Sequence, residues 1–304
     1  MPRIALTRDL KVHTFAAPPA RFEPLKADDA QLDRYGYPRR PAEPPLAKHW
    51  EEVLSSSPEV VVPTFRVMDE LNLDLPDTAA IAALQPVMRS TFIAGGQHQL
   101  AGNEGFLRWV ESTFTIPNIY LGPDRDPTYS CAPWVGLSGN QTSLQAGWYS
   151  YCYYSNGQVM RVFSPWWRWA PASPVFLTNF TVSPGDVLSV VVCLDLGSFV
   201  RARISMNNVT SKQATTFIVT APSGSQLQAD TVGWLMQADR FSSGRHLARM
   251  GAMYFDRTNA GLHAGPTLFH PTQPIYMTNE DGSKDIAYAN IRSESLVEIG
   301  YSGL

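Results

Sequence analysis

Gln145 is the first residue of this sequence that we single out for a possible chemical role. It lies in a run rich in aromatic side chains. Its immediate neighbours are Leu144, Ala146 and Gly147. A primary amide that is held in place before the reaction can polarise a carbonyl and stabilise an oxyanion. The amide cannot take a proton from water, so hydrolysis at this residue would need a separate general base.

Other catalytic and metal-binding patterns are missing from the sequence. The histidines are dispersed, with no His-Glu-x-x-His spacing, and the three cysteines do not form a Cys-x-x-Cys pair. There is no Gly-x-Ser-x-Gly nucleophile elbow, and no segment has the carboxylate spacing of an EF-hand calcium loop. The sequence therefore predicts no metal site and no cofactor.

Composition restricts the classes of partner. The chain has 304 residues, of which 44% are hydrophobic and 17% charged, so it can bury a sizeable core. The net charge of −3, without a long Lys/Arg run, argues against nucleic-acid binding. No window approaches the ~20 apolar residues of a membrane-spanning helix.

The N-terminus and the cysteines bear on the cellular compartment. The first nine residues lack the apolar stretch of a secretion signal. Cys131, Cys152 and Cys193 are too few and too scattered for a disulfide framework. We expect buried thiols and a cytoplasmic protein, with secretion by a non-classical route as the alternative.

Residues 1–90 form a proline-rich and charged N-terminal arm. Short helices are predicted at 46–54 and 79–84, and an edge strand at 60–65. The prolines favour an extended segment that lies over another surface. We expect the arm to pack through Trp50, Val60–Val62 and Phe65 on the rest of the chain or on a neighbouring subunit. A poorly ordered tail is the alternative.

Residues 91–304 show short β-type runs separated by Gly, Pro and Asn turns, which predicts an antiparallel two-sheet β-sandwich. Turn signals at 155–157, 183–186 and 207–208 predict three hairpins. Their strands are expected at 145–154, 180–182, 187–192, 200–206 and 215–219. Two further strands are expected around 275–277 and 296–299, with a loop containing 279–282 between them.

Several segments in one order carry a resemblance to a known family. They are Trp109–Pro117, Trp134–Gly147, Pro165–Pro171, Val182–Asp186 and Val232–Gln237. In this order they resemble the glutamic peptidases, or eqolisins. The resemblance implies a concanavalin-like sandwich of the glutamic-peptidase type and an acid-acting endopeptidase with a catalytic Gln and Glu.

The resemblance assigns the catalytic Gln to Gln145 and the catalytic Glu to Gly233, where the carboxylate is missing. Ser138, Arg168 and Gln237 also stand where the family commonly has acids. Carboxylates suit catalysis at low pH because some of them are protonated there and can act as acids. The departures therefore predict impaired peptidase chemistry.

Aromatic residues around these positions predict a binding groove. On a strand, Trp167 and Trp169 share one face and Arg168 takes the other. We expect a groove that suits an extended peptide, a protein partner or sugar rings. The residues assigned to it are Trp134, Ser138, Trp167, Arg168, Trp169 and Trp234. Filling of the sandwich core is the alternative for at least half of the aromatic residues.

Three functions remain open from sequence. The first is a catalytically impaired relative that binds an extended peptide or a partner in the groove. The second is an active endopeptidase using Gln145 with an unidentified acid, for which Glu111, Asp230 and Asp239 are weak candidates. The third is a structural protein that forms a homo-oligomer through the arm.

Overall fold

The structure is a computed structural model that describes most of the chain. The described residues are 3–7, 10–40, 42, 47–48, 51, 54–55, 58–69, 71, 87–102, 105–122, 128–139, 141–238, 247–262 and 267–302. Within these ranges, no helix is long and apolar enough to cross a membrane.

The described elements are mostly strands. In the arm they are β1 (Arg3–Ala5), β2 (Lys11–Thr14), a 3₁₀ helix (Pro24–Lys26), α1 (Asp29–Tyr35), β3 (Glu59–Val60), β4 (Phe65–Val67) and β5 (Met88–Ser90). Beyond the arm they are β6 (Ile93–Gln99), β7 (Leu107–Thr115), β8 (Tyr129–Gly139), β9 (Thr142–Ser155), β10 (Gln158–Trp169), β11 (Val175–Leu177), β12 (Val187–Leu194), β13 (Arg201–Asn208), β14 (Gln213–Thr220), β15 (Thr231–Gln237), β16 (Ala252–Leu262), β17 (Leu268–Phe269), β18 (Gln273–Thr278), β19 (Asp285–Ser293) and β20 (Leu296–Tyr301).

Local sequence explains several of these boundaries. Asn156 and Gly157 both have positive φ, as the turn of the β9–β10 hairpin requires. The helix α1 begins at a capping box between Asp28 and Gln31, and it ends at Gly36 in the left-handed conformation. The hairpin was predicted from sequence, whereas the helix at 29–35 was not.

The strands form one open, mainly antiparallel ladder folded into two layers. The first layer has the order β4–β11–β10–β9–β8–β15–β6. The second has the order β20–β16–β7–β12–β13–β14–β2–β1. Strands β18 and β19 join β6 to β20. The predicted antiparallel two-sheet architecture is therefore confirmed, with the two sheets linked through one edge.

The main hydrophobic core lies between the two layers. It draws Val135, Trp148 and Trp234 from the first layer and Val190 and Phe217 from the second. The Trp234 indole Nε1 donates a hydrogen bond across the core to the main-chain oxygen of Glu111 on β7, at 2.9 Å. That bond ties the β15 strand of the first layer to the second layer.

The arm adds strands to both layers. β2 and β3 pair with β14, β4 pairs with β11, and β5 pairs with β18. Val61 and Phe65 pack against the main core, as expected from sequence. Trp50 and the predicted helix at 79–84 lie outside the described residues, as does most of the predicted helix at 46–54.

Two predicted hairpins differ in detail from the structure. Residues 180–182 form no strand, because the Asn208 side chain, instead of a ladder partner, donates to the main-chain oxygen of Thr181 at 3.1 Å. Asn207 and Asn208 end strand β13, and the turn lies at 209–212, where Lys212 has a φ of 56°. Asn208 also donates to Asp186 at 2.8 Å, so its side chain anchors the 183–186 turn.

Candidate functional site on the first layer

The two positions that the resemblance assigned to the catalytic pair lie in one row across neighbouring strands. Gln145 on β9 is paired with Gly136 on β8, and Gly136 is paired with Gly233 on β15. Paired residues in a sheet point to the same face. Two strand spacings separate the Cα atoms of Gln145 and Gly233, which is about 10 Å. A side chain at position 233 would therefore project from the same face as Gln145.

The row continues on both sides of this pair. Arg168 on β10 is paired with Gln145, and Gln97 on β6 is paired with Gly233. In order from Arg168 to Gln97, the row consists of a guanidinium group, an amide, two glycines without side chains and a second amide. The row thus contains no carboxylate and no imidazole, the groups that act as general bases in most hydrolases.

Gln145 is buried and already has one hydrogen-bond partner. Its Nε2 donates to the Ser143 hydroxyl at 3.1 Å, while no hydrogen bond reaches its Oε1 from the described residues. Ser143 was not singled out from sequence. The signal was available, since residues two apart on a strand share a face.

Arg168 is also buried, although it carries a charge. Its Nε donates to the main-chain oxygen of Ala172 at 2.7 Å, which holds the side chain beside the row. An arginine stays protonated at all ordinary pH values, so it supplies positive charge and donors but cannot accept a proton from water.

The glycines of the site differ in how much room they leave. A Cβ at Gly136 would lie 2.4 Å from the main-chain oxygen of Leu144, and one at Gly147 would lie 2.0 Å from that of Pro133. A Cβ at Gly233 would meet only side chains, the nearest being Cδ1 of Leu235 at 2.8 Å. Close approach of the backbones thus requires glycine at 136 and 147. At 233 the nearest atoms belong to the side chains of Leu235 and Trp134, and no main-chain atom is among them.

An apolar cluster fills the face beside the row, and we call it the site-face cluster. Its members are Leu71, Phe92, Ile93, Ala132, Trp134, Tyr149, Trp166, Phe176, Leu235 and Ile275, with Met68, Met88 and Tyr151 packed against them. The Trp134 ring lies over the glycines, with its Cζ3 3.1 Å from the Cβ position at 136 and 3.4 Å from that at 233. This indole therefore takes up space next to the Cβ position of residue 233.

The residues predicted to line the groove divide between the two faces. Trp134, Ser138 and Arg168 lie on the face of Gln145, as does Gln237. Trp167, Trp169 and Trp234 are paired with Ala146, Leu144 and Val135 and are buried in the main core. These three cannot line a groove on the Gln145 face, because strand alternation turns them towards the second layer.

Of the three acids considered as substitutes, the two that the structure describes do not join the row. Glu111 is on β7 in the second layer, where Asn259 donates to its carboxylate at 3.1 Å. Asp230 has odd separation from Gly233, and its carboxylate accepts a hydrogen bond from the Thr231 hydroxyl at 2.9 Å. Asp239 lies outside the described residues. Across the described ranges, no three His, Cys, Asp or Glu side chains are grouped as a metal site would require.

Comparisons with known proteins concern the family and the fold of the chain. The model of the peptidase A4 family matches residues 92–301. Aspergillopepsin-2 of Aspergillus niger is 22% identical over 208 residues, which covers 62% of this chain and 71% of that protein.

Solved structures show the same fold. A structure of scytalido-glutamic peptidase with a transition state analog inhibitor has a TM-score of 0.54 and 15% identity, and the match covers 70% of this chain and 98% of that one. A second structure of that enzyme, with a peptide-based transition state analog, gives a TM-score of 0.50 at 16% identity with the same coverage. The family model spans well over half of the sequence, so the chain belongs to the peptidase A4 family, the glutamic peptidases.

Proposed function

We propose that this chain is a non-catalytic glutamic-peptidase relative that holds an extended polypeptide on its site face without cleaving it. The observation that carries the proposal is the composition of the row Arg168–Gln145–Gly136–Gly233. The row retains an amide donor for an oxyanion but has no group that can take a proton from the attacking water. Loss of a general base alone costs about 10²–10⁴ in rate.

The packing of the site face supports the same proposal. Gln145 and Trp134 are buried, and Trp134 and Leu235 lie at the space above Gly233. A substrate would have to displace apolar side chains before its scissile carbonyl came near the amide of Gln145. Burial of large apolar side chains of this kind contributes roughly 1.5–3 kcal/mol each, which opposes such displacement.

Contacts of the chain's own arm support the part of the proposal that concerns an extended polypeptide. Strand β4 adds to β11 at the edge of the first layer, with Phe65 opposite Leu177 and Val67 opposite Val175. Leu71 belongs to the site-face cluster, and Met68 packs against it. Strand addition with side chains in apolar contacts is a common mode of extended-peptide recognition. We infer that the family's peptide-binding face serves this intramolecular contact.

A cleavage assay tests the catalytic half of the proposal. The full chain is incubated with a denatured protein from acid to neutral pH, with aspergillopepsin-2 as the positive control. We expect no products from this chain above those of its Gln145→Ala variant. Cleavage that is present in the wild type and lost in Gln145→Ala would show an active peptidase with an acid outside the row.

The proposed contact between the arm and the site-face cluster is tested with a variant that weakens this contact. Leu71→Asp places a charge in the site-face cluster, and Leu25→Asp is the matched control because Leu25 is an exposed arm leucine. We expect stronger acrylamide quenching of tryptophan fluorescence, and binding of a synthetic peptide of residues 58–71, in Leu71→Asp alone. Equal behaviour of the two variants would contradict the proposed contact. A change in molecular mass in Leu71→Asp would point to an assembly role for the arm instead.

A further inference from the structure

A cavity lies on the outer surface of the second layer, away from the Gln145 row. Its volume is about 650 Å³, within the range of sites for small molecules. The arm forms its roof through Phe15, residues 35–39 and residues 60–63. Its floor is the outward face of β12, β13 and β14.

The floor is built from small side chains. Val191, Ser205 and Thr216 form one cross-strand row, and Ala214 and Ser189 lie beside it. The Ser205 and Thr216 hydroxyls are hydrogen-bonded to each other at 3.1 Å, so they present little unsatisfied polarity. Small residues below a roof with two tyrosines and a phenylalanine leave an apolar space that nothing in the described chain fills.

One end of this cavity is positively charged. Arg108 and Arg203 both line it and are half-buried. Arg203 lies with its guanidinium carbon 5.4 Å from the ring centre of Phe15, and Arg108 donates to the main-chain oxygen of Leu194 at 3.2 Å. Neither arginine forms a salt bridge with a described residue. Two other charged residues that line the cavity are paired: Asp195 with Arg201 at 3.0 Å, and Arg39 with Asp33.

Cys193 lies between these two arginines. It is paired with Arg203 on β13, and on β7 it is paired with Trp109, the residue after Arg108. Burial raises the pKa of the Cys193 thiol, while the positive charges of Arg108 and Arg203 act in the opposite direction. The thiol thus remains neutral at ordinary pH and does not balance the charge of either guanidinium group.

We propose that this cavity binds a small amphipathic carboxylate, with its apolar body under the arm and its carboxylate at Arg108 and Arg203. Guanidinium groups match the geometry of a carboxylate and form strong charge-assisted hydrogen bonds with it. The floor of small side chains and the aromatic roof leave room for an alkyl chain or an aromatic ring. This site is separate from the Gln145 row, so a negative result here would not affect the proposed function.

Calorimetric titration of the full chain with decanoate, below its micelle concentration, tests the assignment. We expect saturable binding at one site per chain and at least about tenfold weaker binding of the neutral methyl decanoate. The variants Arg108→Gln and Arg203→Gln should each weaken decanoate binding by about tenfold or more while leaving binding of the ester unchanged. Arg21→Gln is the matched control, because Arg21 is exposed and does not line the cavity.

A cavity-filling variant keeps the test valid if loss of an arginine loosens the arm. Val191→Trp fills the floor with an apolar group and leaves both arginines in place. We expect it to abolish binding of decanoate and of the ester, with a melting temperature equal to or above that of the wild type. Absence of decanoate binding to the wild type, or binding that survives Val191→Trp or both arginine variants, would overturn the proposal.

Discussion

The two faces of the first layer carry tryptophans in very different surroundings. On the inner face Trp148, Trp167, Trp169 and Trp234 fill the core between the layers. On the outer face Trp134 and Trp166 belong to the site-face cluster beside the row of Gln145. The residues that build the sandwich core and those that the resemblance assigned to the catalytic positions thus lie on opposite faces. A substitution at those positions on the outer face therefore leaves the packing between the two layers in place.

The largest effect is expected on the inner face. Trp234→Ala removes a fully buried indole and its hydrogen bond to Glu111, and we expect a loss of about 3–5 kcal/mol in unfolding free energy. Trp234→Phe and Trp134→Phe sharpen the comparison in urea denaturation. Trp234→Phe loses a hydrogen bond, whereas Trp134→Phe loses none, because Trp134 Nε1 has none to a described residue. Trp234→Phe should therefore lower the unfolding free energy by about 1 kcal/mol more. Equal losses would mean that the cross-layer bond contributes nothing.

Gly233→Glu tests the outer face by placing a carboxylate next to the cluster. Desolvation there should raise the pKa of the new carboxyl above its unfolded value of about 4.3. The variant should then be near wild-type stability below that pH and lose about 2–4 kcal/mol by pH 7, because only the unfolded chain ionises freely.

Gly233→Gln is the matched control, since it has a similar shape and no titratable group. Unfolding free energies measured from pH 3 to pH 7 should diverge between the two variants. We also expect trace acid-peptidase activity in Gly233→Glu alone. Parallel pH profiles would place residue 233 in solvent, contrary to the row described above.

Alanine at two glycines of the row should give unequal results. Gly136→Ala drives a Cβ into a main-chain oxygen and should cost about 1–3 kcal/mol. The nearest atoms to a Cβ in Gly233→Ala are side-chain atoms of Leu235 and Trp134, so we expect a loss below about 1 kcal/mol. Thermal denaturation of the two variants checks this order, and a reversed order would contradict the register of β8 with β15.

The smallest effect concerns a thiol on the inner face. Burial raises the pKa of Cys131 to about 12, whereas an unfolded thiol has a pKa of about 8.5. The protonated thiol's contribution is complete below about pH 8.5, and it falls as pH rises, by about 1 kcal/mol between pH 8.5 and 9.5. Cys131→Ala should show a correspondingly shallower decline of unfolding free energy over that interval. An unchanged slope would indicate that the thiol is exposed.

The parts of the fold that depend on residues close together in sequence could be predicted from the sequence. Asn156 and Gly157 predicted a turn because few other residues adopt positive φ twice in succession. Strand alternation placed Trp167 and Trp169 opposite Arg168. Which of these faces belongs to the core depends on where the second layer packs, and strand alternation alone does not contain that information. The pairing of β4 with β11 likewise joins residues more than a hundred positions apart.

The site shows the same division between local and distant information. The resemblance assigned Gln145 and Gly233 to one catalytic pair, and the two positions occur in one row. The motifs do not predict the apolar cluster beside that row, because Leu71 and Phe92 come from outside them. A motif specifies where the family's catalytic residues stand, but it does not specify which other segments of the chain pack on them.

The short strands of the arm also have a consequence for solubility. Without them β11 and β14 would present unpaired N–H and C=O groups at the two ends of the ladder, and such edges are templates for pairing with another molecule. β4 covers the first edge, and β2 and β3 cover the second. The outermost strands there are then β4 and β1, each of three residues, and β3, of two residues. Strands that short are poor templates, so the arm protects the sandwich against edge-to-edge aggregation.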